Sequence, residues 1–350
     1  MPIDDEARSS PLSPAAVAAW LAMAYRGSQA VISATKLGVP DVLAKGAMTS
    51  VEVAQATDTK PEMMHRLLRA LAAFEVVRDL GDGKFELTAV GDCLRADAAQ
   101  SVRSLVLMWG SDSSWQACGK LAECVKTGQN AYRILHGLDN LFPYLDKNPE
   151  QAGIFDAGQS AGSALIGAVA AQAYDFAGIG RVVDVGGGHG KVLASILKAH
   201  LNVRGTLFDL PRVADGAAAN LAREGVAERC EAVGGDMFEA VPAGGDLYLL
   251  SHVIHDWGDT DATKVLQSCR RAMRPTAKLV ILDRVMPERI EPSPGAQAHV
   301  LSDLTMMIAH GGARERTAKE FEAILEAAGL RLVRVIPTRA PVSLVEAAPA

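Results

Sequence analysis

Apolar positions recur at helical spacing through the first half of the chain and gather into short strand-like runs in the second. In PAAVAAWLAMAYRGSQAVISATKLGV, from residue 14, the helical period holds as far as Gly38. SVEVAQATDTKPEMMHRLLRALAAFEVV, from residue 50, reads as helix, turn, helix. VVRDLGDGKFELT follows, two short extended runs around Gly81-Asp82-Gly83, which is a hairpin signal. Helix-turn-helix followed by a hairpin is the outline of a winged helix. Further helices are expected over about 101–127, 138–147 and 150–173.

The pattern changes at Gly180. RVVDVGGGHG, RGTLFDLP, RCEAVGGDMF, DLYLLSHV and AKLVILDRV are apolar runs of strand length, and helical stretches at 191–200, 213–225 and 260–274 alternate with them. Such alternation predicts an α/β fold, a mostly parallel, doubly wound sheet with helices on both faces. FEAILEAAGL then reads as a helix, and RLVRVIPT and PVSLVEAAP can pair as an antiparallel hairpin at the sheet edge. The expected division is a disordered tail over 1–13, a helical domain over 14–174 and a sheet domain over 175–350.

Composition narrows the classes. The chain has 350 residues, 49% apolar and 22% charged, with a net charge of −6. That fits a globular protein with a large core and gives little general attraction to nucleic acid or anionic membranes. The five cysteines (93, 118, 124, 230, 269) form no CxxC pair and read as free thiols. MPIDDEARSSPLSP is too acidic and polar for a signal peptide, and no uninterrupted apolar run approaches the roughly 18 residues of a membrane span. A cytoplasmic location follows as an expectation.

Candidate chemistry begins at VVDVGGGHGK. A tight glycine turn between strand and helix brings backbone N–H groups and a helix N-terminus close to a ligand. Gly186, Gly188 and Gly190 make G-x-G-x-G, and Lys191 stands where a dinucleotide fingerprint needs its third glycine, which weakens a nicotinamide reading. Asp209 ends the second strand, 19 residues after Gly190, where a carboxylate can accept from both ribose hydroxyls. Asp236 adds an acid beyond the third. A glycine run alone is as readily a simple tight turn. With these acids it suits a cationic nucleoside such as S-adenosylmethionine better than a pyrophosphate.

LYLLSHVIHDWGD carries the second candidate. His252 and His255 lie three apart and Asp256 follows. Residues three apart on a strand face opposite ways, and no third ligand accompanies the histidines, so no metal is expected. His252 reads as a packed strand-end imidazole.

Over residues 150–346 the chain resembles the class I S-adenosylmethionine-dependent O-methyltransferases of the plant caffeic acid and bacterial antibiotic and phenazine type. The motifs are YDFAGIGRVVDVGGGHG, FDLP, GGDMF, HVIHDWGD and ARERTAKEF. The resemblance extends to the N-terminal half, where that family carries a winged-helix dimerisation domain. It implies a seven-stranded Rossmann-like methyltransferase sheet, a homodimer and an acceptor pocket between the domains. It implies cofactor contacts at Asp184, Gly186, Gly188, Asp209, Asp236, Met237 and Trp257, with Trp257 covering the adenine. Ser251 stands where plant members carry a lysine. His255 corresponds to the family's general base, flanked by Asp283 and Glu315; plant members usually have glutamate at the first of these. Trp109, Phe155, Met306 and His310 correspond to the acceptor side, with Trp115 expected in the core. The implied acceptor is a small planar molecule with an aromatic hydroxyl, a phenazine or polyketide.

Two other readings remain open on the residues. The fold can methylate nitrogen or carbon, or carry no methylation at all, although His255 with Asp283 and Glu315 favours oxygen. A winged helix also reads DNA, with His65, Arg66 and Arg69 as the helix charges, but EMMHRLLRALAAF is largely apolar and the chain is acidic.

Overall fold

The computed structural model describes residues 13–350. The tail expected over 1–13 lies outside the described residues except for Ser13, whose Oγ accepts from Ala16 N–H and caps the first helix. The chain divides into two compact units, one ending at Ser111 and the other spanning Asp112–Ala350. The expected division stood at 174/175. The helices between 112 and 173 cluster with the sheet instead, because Ala170 and Ala171 of the helix Pro149–Ala173 share a buried cluster with Leu193 and Leu197 of the helix Lys191–Ala199.

In the first unit the single helix expected over 14–39 is two, Pro14–Met23 and Tyr25–Lys36. The helix Ser50–Ala56 opens on a capping box, with Thr49 and Glu52 each bonding the other's backbone N–H. Pro61 starts the next helix, Pro61–Ala73, in the one turn where its missing N–H costs nothing. Met64, Leu68 and Leu71 of that helix share one face and pack with Val53, Leu43 and Phe85. Strands β1 (Met48–Thr49), β2 (Val77–Asp79) and β3 (Lys84–Leu87) form an antiparallel sheet in the order β1-β3-β2. The expected hairpin turns at Gly81-Asp82-Gly83, where all three residues have positive φ. This is a winged helix. Within it His65 packs edge-on to Phe85.

The second unit holds a seven-stranded sheet in the order β11-β12-β8-β7-β4-β5-β6. Its strands are β4 (Arg181–Val185), β5 (Arg204–Asp209), β6 (Cys230–Gly234), β7 (Leu247–Ser251), β8 (Lys278–Asp283), β11 (Leu330–Pro337) and β12 (Ser343–Pro349). β4 to β8 run parallel. β12 lies antiparallel beside β8 and β11 antiparallel outside it, the hairpin expected from the last two apolar runs. Alternate side chains serve opposite faces. Val183, Tyr248, Leu250, Leu279 and Ile281 pack on the helices Asp259–Ala272 and Ala318–Ala327. Val182, Leu207, Leu249, Val280 and Leu282 pack on the helices Pro149–Ala173, Lys191–Ala199 and Pro211–Arg223. A parallel pair, β9 (Val285–Met286) with β10 (Arg316–Thr317), sits apart from the main sheet.

Two local differences have physical causes. The helix expected over 101–127 is three, Arg103–Trp109, Asp112–Cys118 and Leu121–Thr127, interrupted near Gly110 and Gly119. A further helix, Ala131–His136, is started by Asn130, whose Oδ1 accepts from Arg133 N–H.

Candidate active site

Neighbouring β4 connects outward to β5 on one side and β7 lies on the other, so a crevice opens at their carboxyl ends. The glycine loop closes its floor. Gly186 and Gly187 N–H groups both donate to Phe208 O, at 2.8 and 3.3 Å. Gly188 N–H donates to Asp209 Oδ2 at 2.8 Å, and Leu210 N–H to Asp209 Oδ1 at 2.7 Å. Gly187 must lack a side chain, since a Cβ there would lie 2.8 Å from Asp184 Oδ2. Lys191 is paired with Glu224, which also takes Lys198.

Asp184 lies under this loop, 1% exposed, and neither carboxylate oxygen has a hydrogen-bond partner among the described residues. Burial, helped by the charge of Asp209, raises it to about 7. Asp236 is exposed, and its Oδ1 accepts from Phe238 N–H at 2.8 Å. Phe238 meets Trp257 edge to face, 4.8 Å between centroids, and Met237 packs against the same core. Ser251 ends β7 with its Oγ 3.5 Å from His252 Nδ1.

His255 occupies a single 3-10 turn, Ile254–Asp256, directly after β7. Its ring is 7% exposed. Nδ1 lies 3.3 Å from Glu315 Oε1 and 3.8 Å from Asp283 Oδ1, and Nε2 lies 3.6 Å from Asp256 Oδ1. Glu315 is therefore the acid within bonding reach. Its Oε1 also accepts from Ser302 Oγ at 2.7 Å, and its backbone N–H donates to Asp303 at 2.9 Å. Asp283 is fully buried, with neither oxygen bonded among the described residues.

The electrostatics follow from this crowding. Burial opposes a charge on His255, but Asp283, Glu315 and Asp256 outweigh it and raise the ring to about 10. Burial is also the chief cause that lifts Asp283, to about 7. It acts the same way on Glu315, yet the bonds from His255 and Ser302 and the charge of Arg284 hold that acid below its ordinary value. His252 has φ 54, in the left-handed region, and its ring stands edge-on to His255 at 5.1 Å. Burial and the His255 charge push His252 down to about 3, so it stays neutral.

Residues 118–331 match the O-methyltransferase domain, and residues 8–97 match the O-methyltransferase dimerisation domain. The chain belongs to the O-methyltransferase family. It is 38% identical over 325 residues to a phenazine O-methyltransferase of Lysobacter antibioticus, covering 93% of each chain. It is 35% identical over 306 residues to an 8-amino-8-demethylriboflavin N,N-dimethyltransferase of Streptomyces davaonensis, covering 86% of each. A solved O-methyltransferase from neocarzinostatin biosynthesis, in complex with S-adenosylmethionine and 2-hydroxy-5-methyl naphthoic acid, superposes with a TM-score of 0.76. It is 32% identical and covers 92% of this chain and 96% of its own.

Of the residues expected on the acceptor side, Met306 lies in the helix Pro294–Ala309 and His310 is its C-cap residue. His310 Nε2 lies 3.8 Å from Asp256 Oδ1, and its ring is 4.8 Å from Phe142. Phe142 in turn meets Phe155 at 6.5 Å, so a line of contacts runs from Phe155 to His255. Trp109 belongs to the first unit and is 58% exposed. Trp115 is 40% exposed and is not the core residue expected, because it rides the outer face of a short surface helix. The sequence singled out neither Phe142, Phe238, Ser302 nor Arg316. Arg316 stands inside ARERTAKEF, one residue after Glu315, and that position was its only signal.

Proposed function

We propose that this O-methyltransferase methylates the aromatic hydroxyl of a planar secondary metabolite, a phenazine or polyketide, with His255 as general base. S-adenosylmethionine is the co-substrate; it supplies a methyl group on a cationic sulfonium and departs as the neutral thioether. The residues fit it. A Cβ at Gly188 would meet nothing within 4 Å, so there is room at the loop. Asp209 keeps further lone pairs on both oxygens for ribose hydroxyls. Lys191, whose free charge would draw a phosphate, is neutralised by Glu224. Trp257, Phe238 and Met237 supply an apolar wall for adenine.

The contact of His255 Nδ1 with Glu315 carries the reading. In the neutral form of the ring, Nδ1–H donates to the carboxylate and Nε2 presents a lone pair to the acceptor. As the acceptor oxygen bonds to the methyl carbon, its proton passes to Nε2 and the carbon–sulfur bond breaks. Transfer from a phenol of pKa about 10 to an ordinary imidazole near 6.5 costs about 5 kcal/mol. The carboxylates that raise His255 to about 10 bring donor and acceptor into near balance. His255→Ala should keep its affinity for S-adenosylhomocysteine in calorimetry while turnover falls by roughly 10²–10⁴, with partial recovery at high pH. An unchanged turnover number would refute the base assignment.

The N,N-dimethyltransferase relative supports a second reading, methylation of an aromatic amine. An amine uses its lone pair before it loses a proton, so His255→Ala would then spare turnover. Mass spectrometry of matched hydroxyl and amino acceptors with labelled co-substrate separates the two. The dimerisation-domain match and the exposed apolar side chains of the first helix support a homodimer.

A further inference from the structure

Arg316 is the largest of the fully buried side chains, and a buried guanidinium is costly unless every arm is bonded. Here the arms are bonded to one short segment. Nη1 donates to Ile254 O at 2.9 Å and Nη2 to Trp257 O at 2.7 Å, the carbonyls on either side of His255-Asp256. Nε and Nη2 also donate to Asp259 Oδ1, at 3.1 and 2.9 Å, at the start of the next helix. Two residues earlier, Arg314 N–H donates to His255 O at 2.9 Å. Between these two anchors lies Glu315. The β9–β10 pairing adds a third tie, since Arg316 is in register with Val285, two residues after Asp283.

Arg316 thus ties the His255 segment through its guanidinium and the Asp283 segment through its backbone, with Glu315 as its neighbour. The 3-10 turn after β7 has too few backbone bonds of its own to fix where the imidazole stands. We propose that Arg316 is a positioning residue for the methyl transfer: its fork holds the His255 turn at bonding distance from Glu315. Its planar fork reaches two carbonyls and a carboxylate at once, which a lysine ammonium on a flexible stem cannot do. This rests on the reading of His255 as base.

The test is R316K, with R316Q beside it, on the full-length protein. Misplacement of a reacting group by about 1 Å can cost on the order of 100-fold. R316K should therefore lose roughly 10- to 100-fold in kcat toward an ordinary phenol, with S-adenosylhomocysteine affinity within about twofold of wild type. The NMR titration of the His255 ring should move to lower pH. In the H255A background R316K should cost nothing further, because the strut acts through that ring. Wild-type kcat in R316K, a further loss in the H255A background, or a loss of cofactor affinity with kcat kept at saturation would each overturn the inference. Should R316Q not fold, R316K decides alone. The two readings fail differently: an active H255A removes the base, whereas an impaired H255A beside a fully active R316K removes only the strut.

Discussion

Three carboxylates face one imidazole at His255, so on the proposed reading of that ring as base its titration sets the pH dependence. Because its pKa is raised to about 10, the ring is protonated below that value and becomes a base only as the pH rises toward and through it. In the wild type, kcat/KM for the acceptor should climb as the pH approaches and passes about 10. Glu315→Gln or Asp283→Asn removes a charge that favours the imidazolium. Each should shift the climb to lower pH and lower its plateau, and a limb that stays in place would show that the acids do not set the basicity. On the cofactor side, Asp209→Ala should weaken S-adenosylhomocysteine binding in calorimetry by on the order of 1.5–3 kcal/mol, the usual worth of hydrogen bonds to a charged group. His255, Asp283 and Glu315 were legible as residue types beside strand ends. Asp256 was visible only as the residue after His255, and Arg316 was not singled out, because no pattern along a chain gives the distance between a guanidinium and two carbonyls sixty residues away.

At the scale of elements, periodicity worked where it ran long. The helices at 191–199, 211–223 and 259–272 fall within a few residues of their expected bounds, since each buries one continuous face. The β9–β10 pair was invisible, for two residues cannot display a period. The break of the 101–127 helix at Gly110 and Gly119 was legible in principle, but the apolar pattern runs across both glycines. The glycine loop offers a test of its own geometry. Gly187→Ala places a methyl against Asp184 and Leu207, so the loop must shift; stability should fall by about 1–3 kcal/mol with a clear loss of cofactor affinity. Gly188→Ala meets no atom there and costs only the strain of a left-handed alanine, about 1–2 kcal/mol. Wild-type thermal stability of Gly187→Ala, measured by calorimetry, would contradict the close contact with Asp184 and Leu207.

For the whole molecule, the sequence reads as a helical part and an α/β part with a border at 174/175, whereas the compact units of the structure divide after Ser111. Helices covering a sheet carry no mark that separates them from helices of a neighbouring unit. The exposed row Val17, Trp20, Leu21 and Met23 is too apolar to be left in water. Sedimentation should give about twice the monomer mass of 36.9 kDa, and Trp20→Glu with Leu21→Glu should shift the protein toward monomer. A monomer at every concentration in the unmutated protein would refute the dimer. The position of β12 has a consequence for how the protein is made. It fills the place between β8 and β11, pairing Ser343 with Asp283, yet it is the last strand of the sheet to be synthesised. A ribosome adding about 5–20 residues per second needs several seconds to travel from Asp283 to Pro349. Throughout that interval β8 lacks its partner on that edge, and the segment ARERTAKEF, with Glu315 and Arg316, is itself still being added. The sheet therefore closes around Asp283 only when its last strand has been made.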